Sequence, residues 1–329
     1  MKFRISQFVA KGIKSLVWEG DELVDWVAGG RRFRLDGRVI EPNVRYAFAF
    51  DAARNSPSGE FSVIYTRCAT KGLVLQRGKV LREINRSFYH AAVYEYPIAM
   101  FALADGREVI AHCPDDYCRL EIDDLATGQR LTSAIGREPS DVFHSRLAAS
   151  PGGTFMLSAG WVWHPFDTVR VFDIGAALRD PKHLDGRGIG LDASAEESSA
   201  VFLADDRLLL SVEDPAEDED GNVLVEAQRE LRFFDLPGAE LKQSLCPSGK
   251  IGTMMAVGSD HILALHSHPR LIDLRSGLVV GEWPDISSGN QVSSILVSSN
   301  DLPPTAMDSV NRRCAIANGD VVHVMQFES

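Results

Sequence analysis

The sequence predicts an all-β fold made of seven four-stranded antiparallel sheets set in a ring, and three observations predict it. First, one short pattern recurs seven times: a strand, a tight turn, then an apolar strand. Taking Asp21, Gly59, Gly106, Gly153, Asp206, Asp260 and Arg312 as equivalent positions, the intervals are 38, 47, 47, 53, 54 and 52 residues. That period accommodates four strands per repeat. Second, helical periodicity is nearly absent; Ile174–Leu184 alone reads as a short helix. Third, the strand count closes on itself. The last repeat offers Thr305–Val310, Cys314–Asn318 and Val321–Phe327 and stops one strand short, while Lys2–Val9 is a spare strand ahead of the first repeat. Pairing the two leaves no open sheet edge. Such a closed ring is a seven-bladed β-propeller, expected to occupy residues 1–329 as one domain, with residues 2–9 as the closing strand of the last blade.

The elements follow in order. Blade 1 opens with WEGDELVDW and ends with RFRLDGRVI, and blade 2 is marked by SPSGEFSVIY. Blade 3 carries LADGREVIAH and LEIDDLATGQRL, and blade 4 carries SPGGTFMLSA and VRVFDI. Blade 5 carries LADDRLLLSV and LRFFDLPGAEL, blade 6 VGSDHILALH and RLIDLRSGLVV, and blade 7 DSVNRRCAIA. In each reversal Gly supplies a positive φ, or Asp hydrogen-bonds the turn's own backbone.

Composition narrows the function classes. With 329 residues and 45% apolar content the chain can bury a large core. Its formal charge of −12 would repel nucleic-acid phosphates and attract a cationic partner. No apolar run is long enough for a membrane helix, and MKFRISQFVAKG lacks the apolar block of a signal peptide. The five cysteines (Cys68, Cys113, Cys118, Cys246, Cys314) are odd in number and sparse, unlike a secreted disulfide framework. A cytoplasmic protein, monomeric on its own and bound to neither membrane nor nucleic acid, is expected.

The segment from His144 to Asp173, HSRLAASPGGTFMLSAGWVWHPFDTVRVFD, resembles a WD40 repeat. His144 matches the blade-entry His of that family, Ser150-Pro151-Gly152-Gly153 its Ser-Pro-Asp-Gly turn, and Ser158 its second-strand Ser. Asp167 matches the turn Asp, and Phe172-Asp173 the Trp-Asp pair. The resemblance implies a buried hydrogen-bond network of His144, Ser158 and Asp167, with Phe172 standing where Trp would donate. It also implies a scaffold for protein recognition, usually without catalysis. The other six blades keep the turns and lose the His and Trp.

Propeller topology sorts the loops onto two faces. Turns joining first to second and third to fourth strands are uniformly short. The opposite face collects Ser87–Pro97, Ile135–His144, Trp161–Asp167, Asp185–Ser198, Glu213–Arg229 and Pro284–Pro304, and loops lengthen where function uses them. Phe88, Tyr89, Tyr94, Tyr96, Trp161, Trp163, His164 and Phe166 lie in two of these loops, one blade apart. They form either a partner-binding patch or packing between blades. Glu213–Glu230 holds eight acids against one Arg, with Glu217, Asp218, Glu219 and Asp220 at its centre, and it would attract a basic partner. It is not a calcium loop: with Gly221 at the sixth position, Ala216 and Ala227 fall where the first and last ligands belong.

Catalytic and metal chemistry finds little support. His112 and Cys113 are adjacent in a strand and point to opposite faces, and no second cluster completes a set with Cys118. His266 and His268 share a face but lack a third ligand. No nucleophile elbow, phosphate loop or dinucleotide fingerprint is present. The expected function is therefore non-catalytic protein binding through one loop-rich face, without cofactor or metal. A sharper version is an acidic inhibitor or immunity-type partner of a basic protein or toxin. The alternatives are a loop-built hydrolase or lactonase at the central channel, and a general interaction scaffold.

Overall fold

In the computed structural model, which describes residues 1–42, 44–163, 166–191, 195–213, 229–296 and 302–328, the strands form seven antiparallel sheets. Blade 1 is Val17–Glu19, Glu22–Asp25, Arg31–Arg34 and Val39–Ile40, and blade 2 is Ala52–Asn55, Phe61–Tyr65, Lys71–Gln76 and Lys79–Asn85. Blade 3 is Ile98–Ala102, Glu108–His112 and Glu121–Asp124, and blade 4 is Leu147–Ala149, Phe155–Val162 and Phe166–Asp173. Blade 5 is Glu196–Ala204, Arg207–Glu213, Arg229–Asp235 and Glu240–Leu245, and blade 6 is Met254–Val257, His261–Ala264, Arg270–Asp273 and Val279–Glu282. Blade 7 joins Thr305–Asp308, Arg313–Asn318 and Val321–Glu328 to Lys2–Val9, whose register runs without interruption from Lys2↔Glu328 to Val9↔Val321. The closing strand has the bounds the sequence predicts.

All seven reference positions of the repeat fall in the turn between first and second strands. Gly153 shows why one of them is glycine. Its φ is +69°, and a Cβ there would lie 2.3 Å from the Ala102 carbonyl oxygen of the neighbouring blade.

In blades 3 and 4 the outermost position is reduced to a single bridge, Asp123↔Arg130 and Val171↔Ile189 respectively. After blade 4 the chain turns into the helix Ile174–Arg179 and a 3-10 turn, Pro181–Leu184, where the sequence places a short helix. Asp173 caps that helix by accepting from the Ala176 N–H at 2.7 Å, which satisfies one otherwise orphaned donor. Ile174, Ala177 and Leu184 pack with Leu120, Ile122 and Phe172, so the helix covers the gap between blades 3 and 4.

The core is not one mass. Seven buried clusters among the described residues each fill one gap between neighbouring blades. Strand alternation does this, because successive side chains point to opposite faces. Leu23 packs toward blade 7 while Val24 packs toward blade 2, and Leu208 packs toward blade 4 while Leu209 packs toward blade 6. An eighth cluster, Tyr94, Phe143 and Trp161 with Ile295 against it, lies on the loop-rich face.

One connection leaves its own blades. Between blades 6 and 7 the chain pairs with blade 6 through Ser267↔Gly289, then reaches the opposite side of the ring. There Ser294 binds Asp167 of blade 4, Ile295 bridges to Tyr94, and the Leu296 N–H donates to the Val93 carbonyl at 2.7 Å. Residues 291–296 thus form a strap across the loop-rich side.

Candidate functional site

Blade 4 runs longer than the sequence suggests. Its second and third strands pair from Phe155↔Asp173 to Val162↔Phe166, and Trp161 lies opposite Asp167. Trp161, Val162, Phe166 and Asp167, expected in a loop, therefore belong to the strands. Phe143, at the entrance to the blade, pairs with Trp161 through two backbone hydrogen bonds of 2.9 and 3.1 Å. Their rings stack with centroids 3.9 Å apart and planes 4° from parallel. Gly160 permits the approach, since a Cβ there would stand 2.0 Å from the Phe143 carbonyl oxygen.

This stack separates the aromatic residues singled out in the sequence. Tyr94, Tyr96 and Trp161 are buried and present no surface to a partner. Tyr94 meets Phe143 edge-on at 5.5 Å, and Tyr96 packs between blades 2 and 3 against Tyr65. Arg86 lies over both tyrosines, 4.5 Å from the Tyr94 ring and 5.0 Å from that of Tyr96. It donates to the carbonyls of Ala69, Ala91 and Tyr94. These three aromatics are packed within the fold, where a ring gains more from close contact than from half-exposure.

The others are exposed: Phe88 at 86%, Trp163 at 44%, Phe166 at 42% and Tyr89 at 41%. Tyr89 and Trp163 flank His90 at 4.5 and 5.1 Å. Tyr89 also lies nearly parallel to Phe143, and Trp163 meets Phe143 edge-on at 5.5 Å. Tyr117, 4.3 Å from Phe143, extends the group and donates to Asp141 at 2.7 Å. His90 has φ +51°, left-handed backbone that non-glycine residues adopt at a cost and that clusters at functional sites. His164 and Glu217, Asp218, Glu219 and Asp220 lie outside the described residues.

The expected WD40-type network is only partly assembled. His144 Nδ1 lies 2.9 Å from Ser158 Oγ, and both residues are buried. Burial depresses the His144 pKa to about 3, with the Arg170 charge adding and a hydrogen bond to the Cys118 backbone opposing. Phe172 meets the imidazole edge-on at 5.9 Å. Asp167 is the departure: its carboxylate accepts from Ser294 Oγ at 2.8 Å and from the Ser294 N–H at 3.3 Å. Extension of the strand through Asp167 carries it away from the turn, and the strap takes it up.

No protein-family model and no curated protein sequence matches the chain. Solved structures do. The crystal structure of the β-propeller domain of Cps50 (Swd1) from Myceliophteria thermophila aligns over 99% of this chain and 100% of that one, at 10% identity and a TM-score of 0.58. The chain has the fold of a seven-bladed β-propeller. Matching solved chains number 1047, so the fold is common and selects no partner by itself.

Other features of the propeller were invisible in sequence. Arg137, wholly buried, donates to Asp185 at 2.6 Å and pairs with the buried Glu121 at 3.5 Å. Glu121 also accepts from Thr132 and pairs with Arg119. The partners are far apart in the chain, and no local pattern announces them. His112 pairs with Asp123 at 3.0 Å and His268 with Glu282 at 2.7 Å. Among the described residues no group of three or more His, Cys, Asp or Glu is placed to share a metal ion. Nor is any described helix long and apolar enough to cross a membrane.

The ring encloses a central cavity of about 430 Å³, bordered by first strands such as Ala52–Asn55, Leu147–Ala149 and Thr305–Asp308. Gln291 of the strap borders it and accepts from Thr253 at 3.3 Å. Toward the loop-rich end it is lined by Lys14, Asp51, Arg54, Arg67, Glu95 and Arg146.

Proposed function

We propose that this propeller is a non-catalytic protein-binding module that uses its loop-rich face, with Phe88, Tyr89, Trp163 and Phe166 as the contact surface. The observation that carries the reading is the pair of exposed rings Tyr89 and Trp163 seated on a rigid buried stack, with Phe143 and Trp161 at 3.9 Å beneath them and Phe88 and Phe166 exposed on the same face. Exposed aromatics held in place lose little side-chain freedom on binding, and Trp and Tyr dominate interface hot spots.

The partner in this reading is a cationic protein, and the propeller acts as an acidic inhibitor of the immunity type. The formal charge of −12 and the run Glu217–Asp220 support it through steering and like-charge exclusion of wrong partners. The working form is one cytoplasmic domain over residues 1–329, monomeric when free. All five cysteines are unpaired, as a reducing compartment would leave them.

The test is direct complex formation with the protein encoded beside this one, using purified components. Tyr89→Ala with Trp163→Ala should weaken the complex about tenfold or more, a hot-spot-sized loss. Neutralising Glu217–Asp220 to the amides should slow association and flatten its salt dependence. Undiminished binding by both variants would remove the face from consideration.

A further inference from the structure

The central cavity has a polarity that protein binding does not explain. Its arginine-lined end holds four cations, Lys14, Arg54, Arg67 and Arg146, against two carboxylates, Asp51 and Glu95, in a chain of formal charge −12. Glu95 is already engaged: it lies 3.6 Å from Arg54 and accepts from the Tyr65 hydroxyl at 3.3 Å. Asp51 accepts from the Arg67 backbone N–H at 2.7 Å. Arg146 is satisfied only in part, donating to the Ala159 and Ser198 carbonyls and forming no ion pair among the described residues. Arg67 has no ion pair among them either, and the buried Arg54 Nε has no hydrogen-bond partner there.

Such an arrangement is costly without a ligand. Guanidinium groups taken from water need carboxylate or phosphate partners to offset their desolvation. Arg146 is also held at φ +43°, a strained conformation that the surrounding ring must impose. Arg54 is set deep in the ring, yet 39% of its side-chain surface faces open space. Burial pushes the Tyr65 hydroxyl up to about 12, so at neutral pH it remains a donor. The opposite end of the cavity is apolar, with Phe202 and Met307 among its lining. The volume, about 430 Å³, falls within the range of small-molecule sites.

We propose that the cavity is a binding site for a small amphiphilic anion, its carboxylate or phosphate headgroup held by Arg54, Arg67 and Arg146 and its short apolar body directed toward Phe202 and Met307. Planar guanidinium forks suit either headgroup, because both accept two parallel N–H bonds. The site is separate from the aromatic surface, so the Tyr89→Ala, Trp163→Ala variant retains it.

Calorimetric titration of the full chain with hexanoate, hexyl phosphate and 1-hexanol tests this. One of the two anions binds saturably at one site per chain, and which one binds identifies the headgroup; the alcohol does not bind. Arg146→Gln weakens the anion about tenfold or more, the loss of a charge-assisted bond. Arg67→Gln, which removes no described hydrogen bond of the guanidinium, does the same if Arg146→Gln fails to fold. Lys79→Gln, on an outer strand of blade 2, leaves affinity unchanged. The proposal is overturned if neither anion binds, if the alcohol binds equally well, or if the folded arginine variants bind like the wild type.

Discussion

The Asp167 carboxylate accepts two hydrogen bonds from Ser294, a residue 127 positions further along the chain, while His144 turns to Ser158. A residue that resembles part of a network internal to one blade is instead the anchor of a strap from the other side of the ring. The strap's hold on blades 3 and 4 then rests on Asp167, the Ile295 bridge to Tyr94 and the Leu296–Val93 bond.

Asp167→Ala should therefore act locally. Loss of hydrogen bonds to a charged acceptor is worth about 1.5–3 kcal/mol, and it should appear as faster amide exchange at Leu296. The His144–Ser158 pair and the blade 4 ladder should stay protected. Equal loss of protection throughout blade 4 would mean that Asp167 serves the blade and not the strap.

Gly160→Ala tests the stack from below. The added methyl would need to displace the Phe143 carbonyl from 2.0 Å, and overpacking of this kind costs about 1–3 kcal/mol or more. Urea denaturation should register the loss, and near-ultraviolet circular dichroism should show the Trp161 environment change.

Surface and stack should separate cleanly in stability. Phe143→Ala removes a fully buried ring and should cost about 3–5 kcal/mol. Tyr89→Ala and Trp163→Ala, each at a half-exposed ring, should cost about 1 kcal/mol or less. Thermal denaturation of the three variants decides whether Tyr89 and Trp163 are held for binding or for folding.

The buried Arg137 should be far more sensitive than the exposed ion pairs. Arg137→Ala strands the buried Asp185 without its cation and leaves Glu121 with Arg119 alone, a loss of about 3 kcal/mol or more. Arg38→Ala, which breaks the exposed pair with Asp36, should leave stability nearly unchanged, because solvent screens such a pair. Chemical denaturation of both variants checks the contrast.

Stability should depend on pH through His144 with a definite sign. Its folded pKa is depressed to about 3 from an ordinary 6.5, so below pH 6.5 the unfolded chain binds a proton that the native one refuses. Stability is thus lost as pH falls, by up to about 1.4 kcal/mol per unit. Glu197 runs the other way: burial raises its pKa to about 6, and its protonation favours the native state as pH drops from about 6 to 4.5. The wild-type curve contains both. His144→Gln should be less stable at pH 7 but should lack the His144 decline, so that between pH 6.5 and 5 its stability rises through Glu197 relative to the wild type, and parallel curves would contradict the assignment.

The ring was legible because its signal repeats. A turn at one recurrent place in every blade marks seven units, and a missing last strand beside a spare first one demands closure. The aromatic residues are harder to place, because Tyr94 and Tyr89 are the same residue type in one loop, yet Tyr94 meets Phe143 edge-on and buried while Tyr89 lies parallel to it and half-exposed. The strand containing Trp161 runs past its apparent end: a Pro-containing segment follows, and the pairing partner that prolongs it, Phe166 opposite Val162, is just beyond. Asp167–Ser294, Phe143–Trp161 and Arg137–Asp185 are long-range choices between residues with no local mark, and only the folded ring brings them together.

Closure by Lys2–Val9 also imposes an order in time. Blades 1 to 6 each form from one contiguous stretch, whereas blade 7 pairs residues 2–9 with residues 321–328. During synthesis residues 2–9 have no partner until residues 321–328 have been made. Until then Leu23 and Phe33 lack the Val322 and Val324 side chains that cover them. The entropy of joining such distant segments grows only slowly with their separation, but the search is slow. A half-made ring with apolar ends is the species most exposed to aggregation. Moving residues 2–9 behind residue 328 through a short linker would make the seventh blade contiguous. Such a permutant should refold faster than the natural order while keeping the same native contacts.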